Sequence, residues 1–104
     1  MSSGEAPQAH KDFVKRFPGI GQAWDLLQRS GAEGPLDLRA QRLVKLAIAV
    51  GALREGAVHS AVRKARAAGV TPAEMEQVVA LAASTIGLPS AVASFGWLQD
   101  ELQD

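Results

Sequence analysis

Residues 43–53 read LVKLAIAVGAL, a run in which Lys45 is the sole charged side chain. A helix through this run carries apolar side chains in nearly every direction, so it has to be covered nearly all round. The run is too short to cross a bilayer as a helix. We therefore predict that about residues 38–53 form the central helix of a bundle or of an oligomer core.

The segments that follow this run have helical signals of their own. Residues 57–68 are predicted to form a helix that Gly69 ends. Thr71, Pro72 and Glu74 form a capping-box pattern, which predicts that the next helix begins at Pro72. The predicted core-facing side chains of the last two helices recur at helical spacing. They are Met75, Val78, Val79, Ala82 and Ile86, then Ala91, Val92, Phe95, Leu98 and Leu102.

The segments before the apolar run complete the predicted organisation. Residues 1–12 lack apolar periodicity and are expected to form a flexible N-terminal arm, so that one domain covers 13–104. A short helical turn over 13–17 is followed by a helix with apolar residues at helical spacing. These residues are Ile20, Ala23, Trp24 and Leu27. No segment alternates like a strand, so the predicted fold class is all-α, a bundle of about five to six helices.

Composition excludes several function classes. The chain has 104 residues, with 11 basic and 11 acidic side chains, and this balance gives no electrostatic reason to expect nucleic acid or a membrane as partner. The absence of cysteine excludes disulfides, thiolate metal sites and a thiol nucleophile. No phosphate-binding glycine loop follows a strand, so no cofactor is expected. The N-terminus has no secretory signal pattern, so we expect a cytoplasmic location.

Glu55, His59 and Arg63 are the first candidate site. Four-residue spacing places them on one face of a helix, where a carboxylate can orient the imidazole for general acid–base catalysis. The alternative is an ordinary solvated ladder of helix pairs, each contributing a few tenths of a kcal/mol. A metal site is not expected, because the one other histidine is His10 in the predicted arm.

Lys45 and Arg42 are the second candidate site. They lie about one helical turn apart and could bind the carboxylate of a small anionic substrate. The alternative for Lys45 is that its stem packs and its ammonium group reaches water. Trp97 falls off the predicted stripe of the last helix, which makes it a candidate for a subunit contact.

The order of these segments resembles a known family. Residues 54–59 read REGAVH and residues 63–75 read RKARAAGVTPAEM. With the preceding apolar helix, they are similar to the carboxymuconolactone decarboxylase-like family, which includes the AhpD-type alkylhydroperoxidases. The similarity extends over about residues 20–102. It implies an all-helical AhpD-like fold and a homo-oligomer, either a homotrimer or a homohexamer.

The chain departs from the AhpD-type members at the residues that reduce peroxide in them, namely a Cys-x-x-Cys motif, a histidine and a glutamate. Aligned on Glu55, the cysteine positions hold Arg54 and Ala57. The histidine position, which the decarboxylase-type members usually keep, holds Ala61, and the glutamate position holds Arg42. The resemblance therefore implies a member without thiol peroxidase activity.

Two hypotheses for the function follow. The first is a thiol-free enzyme that acts on a small organic acid or lactone, with Glu55 and His59 as acid–base residues and Lys45 or Arg42 holding the substrate's carboxylate. The second is an oligomeric ligand-binding or interaction module that has lost catalysis. The second is favoured by the absence of the residues that reduce peroxide in AhpD-type members. The first would be favoured by an enclosed polar site at Glu55.

Overall fold

The computed structural model describes residues 7–103, and every regular element in that range is an α-helix. The prediction of an all-α fold is therefore confirmed, with the helix number at the upper end of the expected range. The helices are α1 (Gln8–Arg16), α2 (Pro18–Ala32), α3 (Leu38–Gly51), α4 (Glu55–Ala67), α5 (Pro72–Ile86) and α6 (Leu88–Leu102). Within the described range, no helix has the length and apolar character needed to cross a membrane.

The helices divide into two compact units. The single domain over 13–104 stays a prediction. The first unit contains the hairpin of α1 and α2, in which the rings of Phe13 and Phe17 lie 5.3 Å apart. Helix α1 already begins at Gln8, so residues 8–12 of the predicted arm are helical. Residues 1–6 of that arm lie outside the described range. No residue of α1 or α2 is buried.

The second unit contains α3 to α6, and its helix ends follow from local sequence. Asp37 caps α3 by accepting a hydrogen bond from the amide of Ala40 at 2.8 Å. Thr71 and Glu74 form the predicted capping box at the start of α5, and that prediction is confirmed. The Glu74 carboxylate also pairs with Arg39, which joins the start of α5 to α3.

The core of the second unit lies where α3 and α6 each pack against both α4 and α5. Its largest fully buried apolar side chains are Leu46, Val50, Val58, Val62, Met75 and Leu98. The other side of α3 is uncovered, since Val44 and Ile48 are 45% and 60% exposed and Ala47 is exposed as well. We call Val44, Ala47 and Ile48 the outer face of α3. The part of the chain that the structure describes thus buries this apolar helix on one side and leaves its outer face exposed.

The buried side of α6 differs from the predicted stripe. Ala91, Ser94 and Leu98 face the core, whereas Val92 and Phe95 are exposed. Trp97 packs against the core although it falls off the predicted stripe, and its role in a subunit contact stays a prediction. The predicted stripe contained apolar residues only, whereas the buried side is centred on the polar residue Ser94. Because side chains at neighbouring positions point about 100° apart around a helix, the predicted stripe was rotated away from the buried side.

Candidate functional site

The imidazole of His59 is paired with a carboxylate that the sequence analysis did not identify. His59 lies in the second turn of α4, and the packing of α6 on α4 brings Glu101 beside it. The Nδ1 atom of His59 and the Oε2 atom of Glu101 are 2.7 Å apart, and the Glu101 side chain is only 15% exposed. A short bond to a largely buried carboxylate fixes the ring and favours the tautomer that has its proton on Nδ1.

The opposite edge of the His59 ring faces Glu55. The Nε2 atom lies 3.4 Å from the Oε2 atom of Glu55, so the predicted approach of these two residues is confirmed. This contact is longer than a strong hydrogen bond, and the Glu55 side chain is 60% exposed. Glu55 is therefore the weaker partner, and its side chain can turn away into water.

Two arginines of α4 hold Glu101 in place. The Nη1 atom of Arg63 lies 3.3 Å from the same Oε2 atom that His59 contacts. Arg66 donates to the main-chain carbonyl of Glu101 at 2.9 Å. Arg63 was predicted on the face of His59, and it contributes there by binding Glu101. We call Glu55, His59, Arg63 and Glu101 the histidine cluster.

The histidine cluster does not have the geometry of a metal centre. A metal ion would need several ligands around one point, whereas the two carboxylates lie on opposite edges of the His59 ring. Among residues 7–103, no three His, Asp or Glu side chains are grouped so that they could hold a metal ion. The cluster instead holds an imidazole between two carboxylates and so fixes the orientation of the ring.

Arg42 and Lys45 lie on α3, near a second basic residue of α4 that the sequence analysis did not select. Partial burial lowers the pKa of Lys64 below its ordinary value, and the positive charges of Arg42, Lys45 and Arg63 lower that pKa further. Lys45 is exposed, as expected for a side chain that reaches water, while Arg42 and Lys64 are partly buried. We call Arg42, Lys45 and Lys64 the cationic cluster.

The two clusters occupy different flanks of α4. His59 and Lys64 are five positions apart, which corresponds to about 140° around the helix and roughly 7.5 Å along it. No hydrogen bond or ion pair joins Arg42 or Lys45 to Glu55 or His59 in the described range. Arg63 lies between the clusters, since it binds Glu101 and its charge acts on Lys64. The structure therefore keeps the two predicted sites separate.

The positions that carry peroxide reduction in AhpD-type proteins differ from His59 in their surroundings. Arg54 precedes α4 as its N-cap, and Ala57 is exposed in the first turn. Ala61 faces the core and is 9% exposed, so it stands on a different side of α4 from His59. His59 therefore has surroundings of its own, and these are supplied by α6.

Comparison with known proteins gives one match. A search of curated proteins found no similar sequence, and a search of solved structures found no similar fold. The model of the carboxymuconolactone decarboxylase family matches residues 18–100, a range that includes all of α2 to α5, the cationic cluster and every member of the histidine cluster except Glu101. A match over this much of the chain confirms the family that the sequence resembled, and the chain belongs to the carboxymuconolactone decarboxylase family.

Proposed function

We propose that this protein acts on a small organic acid or lactone by acid–base chemistry, without a cofactor. The observation that carries the proposal is the 2.7 Å contact between Nδ1 of His59 and the largely buried carboxylate of Glu101. This contact leaves the Nε2 atom as the edge that can exchange a proton with a substrate. His59 is therefore the proposed acid–base residue, and Glu101 is a positioning residue.

The chemistry at Nε2 follows from the protonation state of the ring. A neutral imidazole whose Nδ1 proton is held by Glu101 has a lone pair on Nε2 and acts as a base. A protonated ring donates from Nε2. In a decarboxylation, the electron pair of the broken carbon–carbon bond stays on the substrate carbon, which then takes the proton from Nε2. Glu101 keeps the ring in one orientation throughout this cycle.

Glu55 has a separate role in the proposal. Its exposed carboxylate lies beside Nε2 and can pass protons between the ring and water. A substrate that binds at Nε2 displaces Glu55 towards solvent, which the long contact and the high exposure allow. Arg42 and Lys45 are proposed to hold a carboxylate at the far end of the substrate, along the side of α4 on which Arg63 lies.

The second candidate is a family member that has no catalytic activity and serves as an oligomeric ligand-binding or interaction module. The exposed outer face of α3 favours this candidate, because an uncovered apolar helix face is typical of a contact with another chain. Both candidates include self-association as a homotrimer or a homohexamer, and both place the protein in the cytoplasm.

A substrate panel separates the two candidates. Carboxylated lactones and small organic acids are incubated with the protein, and ring opening or loss of carbon dioxide is followed by NMR spectroscopy. We expect His59→Asn to lower turnover by about 10²- to 10⁴-fold, the usual contribution of a general acid or base. Asparagine keeps an amide donor for Glu101, so the variant is expected to fold like the parent protein.

Two further variants make the result specific. His10→Asn changes the other histidine, which lies in α1, and is expected to leave turnover unchanged. Glu101→Gln keeps the size of the side chain but removes its charge, and we expect a lower kcat with an altered pH profile. Turnover that is the same in His59→Asn and in the parent protein would refute the proposed role of His59. An absence of turnover on the whole panel would favour the binding module.

A further inference from the structure

The hairpin of α1 and α2 contributes nothing to the buried core. Every buried residue in the described part of the chain lies between Leu46 and Leu98, whereas α1 and α2 have none. These helices have 9 and 15 residues, and isolated helices of such lengths are only marginally stable in water. Most helical stability in proteins comes from the packing of an apolar face. The hairpin is therefore expected to pack against a further surface.

Inside the hairpin, the two helices approach each other closely at one point. A Cβ atom added at Gly21 would lie 3.1 Å from the Cβ atom of Val14. Because Gly21 has no side chain, the backbone of α2 can come this near to α1. This contact fixes which sides of the two helices face each other, and it leaves other sides free for contacts outside the hairpin.

The positions around this contact form one apolar face. On each helix, the positions one residue before and three residues after the contact point are four apart, so they share a side of the helix. The offsets are equal on both helices of the hairpin, so the side chains lie on the same side of the pair. With one more turn of α2, they are Phe13, Phe17, Ile20, Trp24 and Leu27, each 43–66% exposed. We call these five residues the hairpin face.

The size of the hairpin face indicates what kind of surface covers it. Five large apolar residues of about 200 Å² each, when half exposed, leave roughly 500 Å² of surface in contact with water. This area is near the upper end for an apolar patch on a monomer, about 300–600 Å². Apolar atoms make up a little over half of an average interface, so the face suits an interface of about 800–900 Å² per partner, the standard size.

A second copy of the same face matches this area. The exposed apolar rows of the second unit each come from a single helix and hold two or three large side chains. They are Val44 and Ile48 on α3, and Leu88, Val92 and Phe95 on α6. Across a two-fold axis, by contrast, both copies present the same patch, so the two apolar areas are equal by symmetry. Four amphipathic helices then enclose a shared apolar interior, as in a four-helix bundle.

We propose that the hairpin face is a two-fold interface with the same face of a second copy of this chain. A two-fold contact joins chains in pairs, so the assembly has an even number of copies. This inference goes beyond the proposed function, because it involves neither His59 nor the cationic cluster. It holds or fails independently of any catalytic activity.

Two neighbouring leucines of α2 test the interface by light scattering. Leu27→Asp places a charge on the hairpin face, whereas Leu26→Asp places the same charge at a position that points about 100° away around α2. Both side chains are exposed, so circular dichroism should show that both variants are folded. We expect Leu27→Asp to have half the mass of the parent assembly and Leu26→Asp to have the full mass.

Oxidative cross-linking tests the two-fold symmetry. The chain has no cysteine, so one introduced cysteine reports on its own neighbours. A residue near a two-fold axis meets its counterpart in the other copy, and a disulfide forms only where the two Cα atoms come within about 7 Å of each other. Under mild oxidation, Ile20→Cys in the middle of the face should form a covalent dimer, whereas Leu26→Cys should stay a single chain.

Four results would overturn the inference. The first is a parent protein with an odd number of copies, which includes a monomer whose hairpin packs within its own chain. The second is a mass of Leu27→Asp equal to that of the parent protein. The third is a mass of Leu26→Asp as low as that of Leu27→Asp. The fourth is a yield of covalent dimer from Ile20→Cys that does not exceed the yield from Leu26→Cys.

Discussion

Replacing Ser94 by alanine is expected to make the protein more stable, although it removes a fully buried side-chain atom. Ser94 faces the core from α6 with no exposed surface, and its hydroxyl oxygen has no hydrogen-bond partner among residues 7–103. In the unfolded chain that hydroxyl group is bonded to water. Folding therefore removes a hydrogen bond and replaces it with nothing.

The size of the effect follows from three contributions. A buried hydroxyl without a partner costs about 1–3 kcal/mol. Alanine also has a higher helix propensity than serine, by up to about 0.7 kcal/mol. Against these gains, loss of the oxygen leaves a small gap and removes weak dispersion contacts of about 0.1–0.2 kcal/mol each. We expect a net gain of about 1 kcal/mol in the free energy of unfolding, which for a domain of this size raises the Tm by about 4–8 °C.

Urea unfolding followed by circular dichroism measures this change at one fixed protein concentration. Ser84→Ala is the matched control, because Ser84 lies in α5 and is exposed, so only the helix-propensity gain applies there. Ser94→Ala should be clearly more stable than Ser84→Ala. If Ser94→Ala is less stable than the parent protein, the hydroxyl group has a partner after all, and the reasoning is refuted.

Three further predictions concern the capping box, the assembly and redox chemistry. The main-chain hydrogen bond from Thr71 and the nearby Arg39 lower the pKa of Glu74 in the folded protein. The Glu74 carboxylate therefore stabilises the fold fully above about pH 4.5, and this stabilisation is lost as the pH falls through the lowered pKa. Glu74→Gln should therefore lose stability at pH 7, and urea unfolding should show this deficit shrinking towards pH 3. Ile48→Asp places a charge on the outer face of α3. Light scattering should show that this variant forms smaller species than the predicted trimer or hexamer. A parent protein that is monodisperse and monomeric at micromolar concentration would contradict the predicted assembly. The purified protein should show no thiol-dependent hydroperoxide turnover, because that cycle needs a thiolate and a resolving thiol; turnover that scales with protein and survives chelation of metals would contradict this.

Local signals explain why the helices were predictable. Thr71 and Glu74 lie within one helical turn, and Asp37 lies directly before the helix that it caps. Each signal acts between residues close in sequence, so it can be recognised before any tertiary contact is known. The stripe of α5 was predictable in the same way, because Met75 and Val79 are strongly apolar and lie on its buried side.

The site was only partly predictable. Glu55 and His59 are four positions apart, and that spacing alone is enough to predict their approach. Glu101 is 42 positions from His59, and no local pattern marks it as a partner. Its role depends on how α6 packs against α4, and the rotation of α6 was itself misjudged because Ser94 lies at the centre of its buried side. Lys64 was missed for a related reason, since partial burial is a property of the folded chain that no local pattern around Lys64 shows.

Glu101 belongs to the last turn of α6, and the last turn of a helix is where the backbone opens most readily. Each time this turn frays, the carboxylate leaves Nδ1 and the ring of His59 regains its freedom to rotate. The hydrogen bond from Arg66 to the main-chain carbonyl of Glu101 opposes this fraying at Glu101 itself. The orientation of the imidazole therefore lasts only as long as the final turn of α6 stays closed, and local dynamics at one helix end set the fraction of time in which the pair is intact.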